Sequence, residues 1–253
     1  MEGVLLDVDG VLATAWRALP GAAKAVGWLR DRGIPFLLAT NATSLSRDRL
    51  AARLRGAGME VQGRDVVTAP VLTAAYLRKR HPGARCFLLG KPELGEELRD
   101  VELVESSADV VVVAGADPGF TWENLSAAFR MLKEGAALVA MHRNLFWMTE
   151  SGLMLDTGAF VVGLERAAGI DAVVTGKPSP EFFFLCVDML GLPPERVAMV
   201  GDDLDADVLA AQGCGLTGVL VRTGKFSPQA VERSERKPDL VIDSIGDLPG
   251  LFG

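Results

Sequence analysis

"VLLDVDGVL" (Val4–Leu12) sets two carboxylates, Asp7 and Asp9, at the end of a short apolar run and just before Gly10. An unbroken apolar run of this length suits a strand buried on both faces, as strands of a parallel sheet are. The same grammar recurs along the chain in "IPFLLATNAT", "RCFLLG", "ADVVVVAG", "AALVAM", "DAVVTG", "RVAMVGDD" and "TGVLVRTG". Helix-like segments separate most of these runs. "PGAAKAVGWLRDRG" has Pro20 near its start and Gly33 past its end, and "SRDRLAARLRGAG" has Ser46 at the N-cap position. The alternation predicts an α/β protein with a Rossmann-like, mainly parallel sheet.

The strands outnumber those of one ordinary sheet. "RCFLLG", "ADVVVVAG" and "AALVAM" form a middle set flanked by "TAAYLRKRHPGA" and "GAFVVGLERAAGI". Two α/β modules are expected, the second inserted into the first: a core over 1–71 and 174–253, and an inserted module over 72–173.

The chain has 253 residues, 49% apolar and 23% charged, which is globular composition. No apolar run reaches the length of a spanning helix, and "MEG" leads straight into "VLLDV" without a basic or apolar leader. A soluble, cytoplasmic protein is expected, with no membrane partner. A net charge of -7 argues against a nucleic-acid partner. The densest basic stretch, "RDRLAARLRG", spaces its arginines as the solvated face of an amphipathic helix. Cys86, Cys186 and Cys214 lack metal-ligand spacing and read as buried free thiols.

Ligand sites of parallel α/β sheets lie at the carboxyl ends of the strands. Four runs end in polar residues: Asp7 and Asp9; Thr40 and Asn41; Lys177 after Gly176; and "GDDLDAD" with Asp202, Asp203, Asp205 and Asp207. If the first strand stays extended, Asp7 and Asp9 face one side and Val8 the other. Carboxylates this dense in an apolar setting need a cation, and oxygen donors select a hard one such as Mg²⁺. A calcium loop aligned on Asp203 fails, because its glycine and glutamate positions hold Val208 and Cys214. Mg²⁺ beside a lysine and a threonine suits a phosphoryl group. Asp7 is the better-placed nucleophile, and Asp9 can serve as general acid and then base. Gly10 is expected to turn the backbone aside and leave room for that group.

"DVDGV", "ATNAT", "GKPSPEFF" and "VGDDLDAD" resemble, in order, the four motifs of the haloacid dehalogenase superfamily. The insert resembles the α/β type II cap of its class IIA phosphatases, which include nitrophenylphosphatases and phosphoglycolate phosphatases. "SGLMLDTGAFVVGLERAAGI" and "AQGCGLTGVLVRTGKF" are most similar to the phospholysine phosphohistidine inorganic pyrophosphate phosphatases of that branch. The resemblance implies a Mg²⁺-dependent phosphatase of small phosphorylated metabolites, with pyrophosphate and phosphoamidate cleavage within the family's range. By position, Asp7 matches the nucleophile and a metal ligand. Asp9 matches the general acid/base and lends its backbone carbonyl to the metal. Thr40 and Asn41 match the phosphate-binding motif, Lys177 the third-motif lysine, and Asp202 the metal-binding acid. Asp207 matches a second acid, outer-sphere or structural, and the role of Asp203 stays open. The resemblance also implies a homodimer formed through the cap.

Some residues carry weaker readings. "GKP" occurs twice, but Lys91 falls in the insert, whereas one helix separates Lys177 from Asp202 on a neighbouring core strand end. His142, with Arg143 and Asn144, is a candidate substrate contact from the cap. Trp16 reads as packing or gating, and Trp122 and Trp147 as cap core or dimer surface. The rival functions on this fold are a phospho-acceptor domain and a non-catalytic binding protein.

Overall fold

The strand Gly3–Leu6 is buried at every residue. It pairs in parallel with Val197–Gly201 on one side and Phe36–Thr40 on the other. In this computed structural model, which describes residues 1–43, 45–149 and 152–252, these strands lie at the centre of a six-stranded sheet. Its order is Leu240–Ile242, Thr217–Val221, Val197–Gly201, Gly3–Leu6, Phe36–Thr40, Val66–Thr68. Both faces must be covered for such runs to be apolar throughout. Helix Ala22–Asp31 buries Ala22, Ala25, Val26 and Leu29. Helix Arg47–Gly56 buries Leu50, Ala51 and Leu54 and leaves its arginines outward-facing or half-buried. Helix Pro180–Leu190 buries Phe182, Phe183, Cys186 and Val187.

The strand order gives this sheet a switch point. From Gly3–Leu6 the chain moves outward one way through Phe36–Thr40, and later the other way through Val197–Gly201 and Thr217–Val221. Loops leaving the carboxyl ends of the two central strands therefore diverge and open a crevice, the usual ligand position of such folds.

The chain divides into two compact units, one of 1–40, 47–67 and 177–253, the other of 41–46 and 68–176. The second has its own parallel sheet, ordered Val173–Val174, Ala137–Ala140, Val110–Val113, Arg85–Leu89, Glu102–Leu103. Strand alternation divides its core between two faces. Phe87, Leu89, Val111, Val113 and Leu138 pack with Met131, Leu132, Val161 and Leu164. Cys86, Val110, Val112 and Val139 pack with Leu77, Leu94, Leu98 and Met141. The fold is thus a Rossmann-like core with an inserted α/β module.

Several expectations need correction. "DAVVTG" supplies only Val173–Val174, and that strand joins the sheet of the inserted module. Lys177 therefore does not stand at the end of a core strand. Short strands at Val66–Thr68 and Leu240–Ile242, and a hairpin of Phe146–Thr149 with Gly152–Leu155, had no clear periodic signal. Trp122 is 80% exposed and so is not cap core; the side chain of Trp147 lies outside the described residues. All three cysteines are buried and free, as expected. Burial pushes the Cys186 thiol up to about 12 despite nearby Lys177, so it is chemically quiet at neutral pH. No helix among the described residues is long and apolar enough to cross a membrane.

Candidate active site

Leu6 is in register with Leu38 and with Val200, so Asp7, Thr40 and Asp202 leave the sheet at the same edge. The Asp7 N–H donates to the Val200 carbonyl at 2.9 Å, which holds it to the switch point after the strand itself has ended at Leu6. A tight turn follows. The N–H groups of Leu12 and Ala13 both donate to the Val8 carbonyl, at 3.0 and 2.9 Å. The strand has ended before both acids, so strand alternation does not set which way they face. Asp7 is 7% exposed, whereas Asp9 is exposed.

The second acidic run is shaped by its helix start. Asp203 caps a π-helical segment, Leu204–Leu209, by accepting the Ala206 N–H at 3.0 Å. The wider winding turns Asp207 back over the strand end, where Gly201 has no side chain; a Cβ there would stand 2.2 Å from the Asp207 Cβ. Asp205 is exposed and takes no part in the cluster. Asp7, Asp202 and Asp207 are all buried, and they present carboxylate oxygens within 4.8 Å of one another.

Lys177 closes this cluster. It is 4% exposed, and its Nζ lies 2.7 Å from Asp7 Oδ1 and 2.6 Å from Asp207 Oδ1. The other Asp207 oxygen accepts the Asp203 N–H at 3.2 Å. Three desolvated carboxylates against one ammonium leave the group short of positive charge, and their proton affinities rise accordingly. Burial first, then Asp7 and Asp207, push Asp202 up to about 7. Burial pushes Asp207 up to about 6, with Lys177 opposing and Asp7 adding. Asp7 is raised by burial, against the pull of Lys177. Desolvation draws the Lys177 ammonium down, but Asp207 and Asp7 more than offset it and hold it charged. Asp9 is raised by the protein packed around its carboxylate, with Lys177 and Lys225 opposing. A donor set of carboxylate oxygens without histidine or cysteine fits a hard divalent cation.

The other expected residues are distributed as follows. Thr40 ends its strand at 2% exposure. Asn41 belongs to the second unit, and its Oδ1 stands 2.6 Å from where a Gly176 Cβ would be. His142 is buried in that unit against Thr157 Oγ1 at 3.3 Å and Asp156 Oδ1 at 3.8 Å. Its neighbour Arg143 is ion-paired with Glu165. Trp16 occupies the tip of a small hairpin at φ +64°, with the Arg53 guanidinium 4.8 Å from its ring centre. Asp203 pairs with Lys225 at 3.3 Å.

Gly10 turns the backbone at φ +82°, as expected, but the room it leaves is taken by a neighbouring side chain. A Cβ there would stand 2.0 Å from Asp202 Oδ2, so the space it leaves is filled by that carboxylate. Sequence reasoning read "TGK" (Thr223–Lys225) as part of a strand end and of the family resemblance but gave it no role in the site. Lys225 N–H donates to Asp202 Oδ2 at 2.7 Å, and a Cβ on Gly224 would stand 1.9 Å from the same oxygen. The signal was present: a glycine and a lysine follow directly on a core strand.

Comparison with known proteins gives the family and matches the fold. The model for haloacid dehalogenase-like hydrolases matches residues 4–104, and a related HAD-hydrolase-like model matches 174–248. The rat protein named phospholysine phosphohistidine inorganic pyrophosphate phosphatase is 34% identical, over 100% of this chain and 94% of its own length. The solved p-nitrophenyl phosphatase from Archaeoglobus fulgidus superposes with a TM-score of 0.92 at 32% identity, covering 99% of this chain and 98% of that one. A glycerol phosphate phosphatase from Mycobacterium tuberculosis, solved in complex with magnesium, gives 0.88 at 30% identity, over 96% of this chain and 76% of that one.

Proposed function

The chain belongs to the haloacid dehalogenase-like hydrolases, as one of their phosphatases, and on that premise we propose that it cleaves small phosphorylated metabolites with Asp7 as nucleophile. The observation that carries this is Lys177, bridging Asp7 and Asp207 in a buried acid cluster at the switch point of the sheet. An Asp7 oxygen attacks phosphorus while the bond from phosphorus to the leaving oxygen breaks. Asp9, exposed and with a raised proton affinity, donates a proton to that leaving oxygen. Water then attacks the phosphorus of the aspartyl phosphate, Asp9 takes the water's proton, and Asp7 is regenerated as phosphate departs. Lys177 keeps Asp7 oriented, and favours its carboxylate form before the attack and on its release from phosphorus.

The residues that would hold Mg²⁺ are Asp7, Asp202 and the Asp9 carbonyl. Asp207, with one oxygen on Lys177 and the other on the Asp203 N–H, acts as an outer support. Mg²⁺ bound there supplies charge neutralisation for the phosphoryl oxygens. Thr40 and Asn41 are the proposed phosphate contacts, and the type II cap, with His142 among its candidates, would select the leaving group. Two such caps would pair in the proposed homodimer.

Replacing Asp7 by Asn tests the reading. Turnover of p-nitrophenyl phosphate with Mg²⁺ is expected to fall by at least about a thousandfold. Full activity in that variant would refute the nucleophile assignment. A panel of phosphometabolites including pyrophosphate and phosphoamino acids, with and without Mg²⁺, identifies the leaving group.

A further inference from the structure

The strand Thr217–Val221 lies beside Val197–Gly201, and the loop that follows it reaches back to the acids. Asp202 Oδ2 accepts the Lys225 N–H at 2.7 Å. The same oxygen fills the gap between two glycines, Gly10 at φ +82° and Gly224 at φ +61°. A Cβ added to Gly224 would also stand 2.7 Å from the Gly10 Cα, so the two backbones are in close contact. One side chain spans this contact. Thr223 Oγ1 donates to the Gly10 carbonyl at 2.5 Å, one residue beyond Asp9.

We propose that Thr223 is a positioning residue for the metal-binding acid Asp202. Its hydroxyl ties the Thr223–Lys225 loop to the loop that carries Asp7 and Asp9, and the tie closes the slot in which the Asp202 carboxylate is held. Glycine backbones resist displacement weakly, because glycine has the most conformational freedom to recover. Without the hydroxyl, Gly10 and Gly224 can separate, and Asp202 loses its fixed orientation relative to Asp7. Partners that orient a metal ligand without touching the metal contribute substantially to affinity in this way. The inference rests on the reading of Asp202 as a metal ligand.

The test is Mg²⁺ binding to the full, metal-stripped chain, measured by titration calorimetry in the absence of substrate. Thr223→Val keeps the shape and removes the donor, and it is expected to weaken Mg²⁺ binding about tenfold. Thr223→Ala reads the same loss should the second methyl of valine crowd Gly224. Thr223→Ser keeps the donor and is expected to bind within about twofold of the parent. The KM for p-nitrophenyl phosphate at saturating Mg²⁺ is expected to stay unchanged in all three. Unaltered Mg²⁺ affinity in the variants without the hydroxyl overturns the inference, even with a lowered Tm, because the hydroxyl would then serve the fold alone. If the parent chain binds no Mg²⁺, the metal reading itself fails, and this inference fails with it.

Discussion

Loading the acid cluster with Mg²⁺ at pH 6 is expected to expel protons. Asp202 is pushed up to about 7 and Asp207 to about 6, so both hold protons in the metal-free chain where ordinary carboxylates would not. A divalent ion requires ionised oxygens in its ligands and must displace the Asp202 proton. At pH 6 Asp202, the ligand among the two, is about nine-tenths protonated, so roughly 0.9 protons leave per ion bound. At pH 7 the figure falls to about 0.5, and at pH 9 it approaches zero. Apparent Mg²⁺ affinity follows the same occupancy and drops about fivefold from pH 7 to pH 6. Asp7, raised by burial, deepens the loss in the same direction. Calorimetric titration in buffers of differing ionisation enthalpy counts the protons directly. Buffer-independent heats at pH 6, with an affinity flat from pH 6 to 7, would refute the picture of a desolvated, proton-holding cluster.

Four further outcomes rest on the same geometry. Lys177→Met leaves Asp7 and Asp207 buried without their cation and is expected to cost about 3–5 kcal/mol of stability at pH 8 by denaturant unfolding; the deficit shrinks at pH 5, where the acids are protonated, and a variant as stable as the parent at pH 8 would contradict it. Gly224→Ala, at φ +61° with its Cβ 1.9 Å from Asp202 Oδ2, is expected to raise the Mg²⁺ concentration needed for activity. Gly33→Ala, at φ +65° with nothing within 4 Å, should show only the backbone penalty of about 1–2 kcal/mol. In metal-free protein the raised carboxyls of Asp202 and Asp207 bind more protons folded than unfolded. Their contribution is complete below the ordinary carboxylate range and is lost as pH rises through about 6 and 7, so stability is expected to fall from pH 4 to pH 7. Urea midpoints across that range check this, and saturating Mg²⁺ should flatten the slope.

Much of the site was legible because its residues sit at the ends of strongly patterned strands. "VLLDVDG" and "RVAMVGDD" announce buried parallel strands by composition, and the acids after them could only gather at one edge. The short strands Val66–Thr68 and Leu240–Ile242 were not legible, since three residues carry no period. "DAVVTG" read as a core strand because local pattern does not say which sheet a strand joins; pairing with Ala137–Ala140 decides that.

The residue types needed for phosphoryl chemistry, their order, and the α/β class follow from the sequence itself, because hydrophobic runs and strand-end acids are local features. Contact across the chain is not local. Only the tertiary structure decides that Lys177 faces Asp207 as well as Asp7, and that Asp205 points away while Asp207 turns inward. The same holds for Gly10, which makes room for Asp202 through its approach to Gly224, a residue more than two hundred positions away. A backbone approach of that kind depends on packing between loops, and no spacing within either loop encodes it.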